Sequence, residues 1–127
     1  MTIYGIGTDI VNIERIKNSL KNKNFINRIF NEKEVLKCRK NNNSINCYAK
    51  RFAAKEAFSK ALGTGISNGI NFNEIVVLNK KSGKPYISVI GQTKKILVKK
   101  FKKKKSKISL SLSDEKKYAV AFVTISL

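Results

Sequence analysis

Residues 44–63, SINCYAKRFAAKEAFSKALG, decide how the rest of the chain is read. Ser44 offers a capping oxygen at one end, Gly63 a stop at the other, and no proline or glycine lies between them. Tyr48, Phe52 and Ala53 fall near one face at helical spacing, so the stretch predicts a long helix with an apolar side. Glu56 interrupts that apolar run. Lys60 follows four residues later, so the two side chains emerge from one face a turn apart.

On the N-terminal side, IYGIGT (3–8) reads as a buried first strand that ends at Asp9. Ile10, Ile13, Ile16 and Leu20 then recur at helical spacing, which predicts a helix starting just beyond Asp9. Phe25, Ile26, Ile29 and Phe30 form a second apolar cluster, NEKEVLKCRK predicts a short charged helix after an asparagine cap, and Asn41–Asn43 mark a loop.

On the C-terminal side the period changes from helical to alternating. GTGISNG reads as a glycine-rich loop; NEIVVLN and YISVI read as strands flanking the KKSGKP connection of a hairpin. QTKKILVKKFKKKK predicts an amphipathic helix with Ile96, Leu97 and Phe101 inward. Ile108, Leu110 and Leu112 alternate with serines, and YAVAFVTISL alternates again, which predicts a closing antiparallel hairpin. The expected architecture is α+β, an antiparallel sheet packed against a long central helix, in one domain over residues 1–127.

Composition narrows the chemistry. The 127 residues carry 27 basic and 8 acidic side chains, a formal net charge of +19, yet 42% are hydrophobic, so a disordered polybasic tail is excluded. There is no histidine, which removes imidazole triads, Cys-His nucleophiles and imidazole metal clusters. Of the 27 cations only four are arginine, whereas readers of nucleic acid favour its bidentate fork; a nucleic-acid-binding module is therefore the weaker alternative. Cys38 and Cys47 are too far apart for CxxC chemistry and are expected to be reduced thiols of a cytosolic protein. The opening MTIYGIGTDIVNIERI makes neither a signal peptide nor a membrane span, so a cytoplasmic location is expected.

Asp9 and Glu56 stand out because each interrupts an apolar setting. Two such carboxylates suit Mg²⁺, which takes its other ligands from water and substrate phosphates, and Lys60 is then placed to hold a phosphate oxygen. The plainer alternatives are a Glu56–Lys60 surface ion pair and a helix cap at Asp9.

The motifs YGIGTDIVNIERI, RFAAKEAFSKALGTGISNGI, GKP and SDEKKYAVAFV, in this order over nearly the whole chain, resemble those of the holo-[acyl-carrier-protein] synthases, the small single-domain class of phosphopantetheinyl transferase. The resemblance implies transfer of phosphopantetheine from coenzyme A to a serine of apo-acyl carrier protein, for fatty acid biosynthesis, with Mg²⁺ required. It also implies a homotrimer with active sites between subunits. Asp9 and Glu56 match the family's metal ligands, and Lys60 its pyrophosphate contact. Arg51 and the Gly63–Thr64–Gly65–Ile66 loop match positions that bind coenzyme A, while Arg15 matches an arginine that faces an acidic helix of the carrier. Ser109 and Asp114 stand where family members can carry histidine. An inactive transferase-like scaffold is therefore the other alternative.

Overall fold

The structure is a computed structural model and describes residues 1–63 and 69–127. Its centre is α4 (Ser44–Leu62), and the three-stranded antiparallel sheet β1 (Ile3–Asn12), β5 (Tyr118–Ser126), β4 (Lys107–Asp114), in that spatial order, packs on it. The alternation in β5 does what its period demands: Ala119, Ala121, Val123 and Ile125 are buried, while Tyr118, Val120 and Phe122 are exposed. In β1, Gly5 and Gly7 face the helix so closely that a Cβ at either would overlap the carbonyl of Ala61 or Ala57. These two glycines let strand and helix backbones touch, which fixes where the rest of β1 falls along α4.

β1 runs three residues past the expected start of the first helix. Residues Asp9 to Asn12 stay extended because they pair with Ala121 to Tyr118, and α1 (Ile13–Ser19) begins only after Asn12, whose side chain caps the Arg15 amide at 3.1 Å. Asp9 is therefore a strand residue and not a helix cap. At α4 the cap position is Asn43, not Ser44, and no side chain caps it. Between them lie α2 (Lys23–Ile29) and α3 (Glu32–Arg39); Asn31 and Glu34 form a reciprocal capping box at the start of α3, as the asparagine predicts.

The expected hairpin is β2 (Ile75–Asn79) with β3 (Pro85–Val89), a separate two-stranded sheet, followed by α5 (Gly91–Lys100). Leu97 and Phe101 are buried as expected, and Ile96 is half-buried. A buried ion pair ties this half to α4. The Lys55 ammonium donates to Glu34 at 2.6 Å and to the carbonyls of Phe72 and Ile75, and Glu34 accepts the Val77 amide of β2.

One expectation is overturned outright. Cys38 and Cys47 are joined as a disulfide, with Cα atoms 5.4 Å apart. Their spacing excludes CxxC chemistry, but it places one cysteine on the last turn of α3 and the other on the first of α4, and packing of those helices buries the two sulfurs against each other.

Candidate active site

Asp9 has the same parity as Gly5 and Gly7, so its carboxylate faces α4. There it meets Lys60, whose ammonium donates to Asp9 at 3.1 Å and to the Thr8 carbonyl at 2.9 Å. This is a pairing across 51 residues and not the local Glu56–Lys60 bridge; among the described residues Glu56 has no ion-pair partner. Burial raises the Glu56 pKa, the charge of Asp9 raises it further, and Lys60 pulls the other way. Two carboxylates thus share one neighbourhood with a single ammonium between them. Lys60 is 56% exposed at its side chain while Asp9 is 16% exposed, so the pair sits at the surface with its donors open to a ligand.

The other expected residues are more scattered. Gly63 closes α4 in the left-handed conformation, φ 79°, the role for which its lack of a Cβ fits it. Thr64, Gly65 and Ile66 lie outside the described residues. Arg51 is 4% exposed: its guanidinium donates to the Cys47 carbonyl at 3.3 Å and to Asn79 at 2.9 Å, and its Nε has no partner. Asn79 also donates to Gly83 in the hairpin turn, so Arg51 is held by the turn that carries the GKP motif. Arg15 is exposed on α1. Ser109 is exposed on the outer face of the sheet, in register with Thr124, and so points away from Asp9 of its own chain. Asp114 accepts from Asn46 at 2.7 Å and pairs with Lys50 at 3.5 Å.

Sequence reasoning missed Lys55, Glu34 and Asn79 as organising residues. Lys55 gives no local signal, since a lysine beside Glu56 reads as surface; its burial follows from contacts made 17 to 21 residues away. A cleft of about 800 Å³ beside α2 and α3, lined by Phe30, Asn31 and Glu74, contains none of Asp9, Glu56 and Lys60.

A strand carboxylate, a helix carboxylate and a lysine that meet at an open surface have the hard oxygens and the free donor with which a phosphate-bearing ligand can be held. The profile of the 4'-phosphopantetheinyl transferase superfamily matches residues 5–123, and the chain belongs to that family. It is 53% identical over 125 residues to a holo-[acyl-carrier-protein] synthase of Pelagibacter ubique, covering 98% of each chain. Among solved structures it is similar to the holo-[acyl-carrier-protein] synthase of Neisseria meningitidis (39% identity, TM-score 0.88, 99% of this chain and 100% of that one). It is also similar to a holo-(acyl-carrier-protein) synthase of Bacillus anthracis in complex with CoA (3',5'-ADP), at 35% identity and TM-score 0.79 over 98% and 97%.

Proposed function

We propose that this chain, as a single domain over residues 1–127, transfers the 4'-phosphopantetheine arm of coenzyme A to a serine of apo-acyl carrier protein. Adenosine 3',5'-bisphosphate is the second product, Mg²⁺ is required, and the reaction serves fatty acid biosynthesis in the cytoplasm. Among the described residues no helix is long and apolar enough to cross a membrane. The observation that carries the reading is the convergence of Asp9, Glu56 and Lys60 from two distant segments.

The donor set fits the metal. Two hard carboxylates share one cation: burial raises the Glu56 pKa and the charge of Asp9 raises it further, against the pull of Lys60. When bound, Mg²⁺ supplies charge neutralisation at the diphosphate oxygens. Asp9 and Glu56 are the residues that would hold it. In the reaction the serine oxygen forms a new bond to phosphorus, the bridging P–O bond of the diphosphate breaks, and its electron pair leaves with the bisphosphate. Lys60, fixed by the Thr8 carbonyl, meets the charge that develops on that leaving phosphate. The serine proton passes to a carboxylate or to water, since the chain has no histidine. Arg15 docks the acidic carrier. Arg51, Gly63, Thr64, Gly65 and Ile66 bind coenzyme A.

A homotrimer with sites between subunits belongs to the same reading. It is supported by the outer sheet face, where Ile6, Ile10, Tyr118, Val120 and Phe122 are exposed together. The accessible surface is 7,999 Å², against roughly 6,800 Å² for a compact monomer of this mass. Ser109, on that outer face, then belongs beside a neighbouring subunit's site, whereas Asp114 stays bound to Asn46 and Lys50 of its own α4. Sedimentation is expected to give a trimer; a stable, active monomer contradicts it. For the reaction, apo-carrier incubated with coenzyme A and Mg²⁺ should gain the phosphopantetheine mass, and a chelator should stop the gain. An unchanged mass with metal present rejects the transferase in favour of an inactive scaffold.

A further inference from the structure

The positive charge of this chain is concentrated. Between residues 75 and 113 there are twelve lysines and no carboxylate, so under a third of the chain carries +12 of the formal +19. All twelve are exposed, and among the described residues none is in an ion pair. The segment folds as β2, β3, α5 and β4, and where the last three meet a cleft of about 200 Å³ opens. Leu97, Val98, Phe101 and Ile108 line it with carbon, and Lys94 and Lys104 flank it. That is roughly seven water volumes, the room of one large apolar side chain. Val98 is 47% exposed there although Leu97 beside it is buried.

The end of α5 adds a second observation. Lys102 and Lys103 have φ of 52° and 65°, and their amides close the helix on the carbonyls of Lys99 and Val98. This is the left-handed turn that glycine makes without steric cost. Lysine stands at both positions, between Phe101 and Lys104 of the cleft, although glycine would fit the turn at less cost, and strained residues of this kind gather at binding surfaces.

The chemistry selects the ligand. A nucleic-acid strand needs aromatic platforms or arginine forks; the segment has no arginine, and its one tyrosine, Tyr86, is half-buried with Lys80 over its ring at 6.0 Å. An apolar slot between ammonium groups matches a large apolar side chain flanked by carboxylates, the pattern of an acidic amphipathic helix. We propose that this cleft is a second docking surface for the carrier protein, seating one apolar side chain of an acidic helix between Lys94 and Lys104; the inference rests on the transferase reading. The reach is adequate. Phe101 packs edge-on to Tyr4 at 5.0 Å, Tyr4 precedes Asp9 by about 17 Å of strand, and a small domain of about 80 residues is roughly 30 Å across.

The test measures steady-state transfer to apo-carrier and, in parallel, binding of fluorescently labelled apo-carrier. At low salt, Lys94→Glu/Lys104→Glu should raise the KM for carrier and weaken binding about tenfold, with kcat and the KM for coenzyme A unchanged, and the difference should shrink in roughly 0.5 M salt. Val98→Asn, which removes the apolar contact without adding charge, should weaken binding by a similar factor that persists in high salt. Wild-type constants in both variants overturn the proposal. So does an equal loss in Lys80→Glu/Lys81→Glu/Lys84→Glu on the hairpin, which would mean diffuse steering, or displacement of the carrier by a single-stranded RNA that binds more tightly. If the wild type transfers nothing, it is the transferase reading that has failed.

Discussion

Two lysines five residues apart on α4 make ion pairs of opposite meaning. Lys55 and Glu34 are both fully buried at 2.6 Å, and every hydrogen of the ammonium has a partner in Glu34, Phe72 and Ile75. Lys60 and Asp9 meet at 3.1 Å at the surface, with Lys60 open to solvent. Burial pulls the Lys55 pKa down to about 8 although the charge of Glu34 opposes it, so the fold keeps an ion where water is absent by surrounding it with acceptors. Such a pair can do nothing but hold α3, α4 and β2 in register. The Lys60 pair retains donors, a neighbouring carboxylate and access. The difference is one of residual bonding capacity, and that capacity is what a substrate phosphate requires.

The sharpest way to break this comparison is to disarm the buried pair. Lys55→Met leaves Glu34 charged and unpaired and should lower stability by about 3–5 kcal/mol in urea unfolding, while Lys55→Met/Glu34→Leu should recover most of that loss. A loss below about 1 kcal/mol in the single variant would mean that the pair is not the lock described here. Lys60→Ala should do the reverse: kcat falls about 10²-fold, and stability stays within about 0.5 kcal/mol because the pair is exposed. Equal effects at the two lysines would erase the distinction.

A smaller effect tests the outer sheet face. Ser109→His restores an imidazole at a position that the trimer reading sets beside a neighbouring site, and the apparent KM for coenzyme A should fall; an unchanged or raised KM counts against that placement. The smallest effect is structural. Burial pushes the Glu74 pKa up, but bonds from Asn71, Thr93 and the Thr93 and Gln92 amides outweigh it and hold the carboxyl below its ordinary value. The native state therefore binds that proton less readily than the unfolded chain. Its stabilisation is present above the ordinary carboxylate range and is lost as pH falls through the lowered value. Glu74→Gln should flatten the acid limb of the melting-temperature profile.

Much of the fold was legible because its signals are local. The alternation of β4 and β5, the asparagine before α3 and the hairpin around GKP each fall within one element. The boundary of β1 was not legible: Ile10, Ile13 and Ile16 satisfy a helix pattern, and only pairing with β5, over 100 residues away, keeps residues 9–12 extended. The site divides in the same way. Glu56 and Lys60 share a face by spacing alone, but the partner of Lys60 comes from β1, and the Asp9 charge that acts on Glu56 arrives with it. Arg51 matches a coenzyme A position in sequence, but its burial and its bond to Asn79 of β2 depend on the fold. The cysteine pairing depended on how two helices pack, which spacing does not encode.

On the function proposed, Asp9 and Glu56 form one functional unit open to a metal and a diphosphate. It is tested most directly by mass spectrometry of apo-carrier incubated with coenzyme A and Mg²⁺ beside wild type, Asp9→Ala and Glu56→Ala, each checked for wild-type unfolding. Wild type should add phosphopantetheine, and both folded variants should add none. Near wild-type turnover in either folded variant would contradict it.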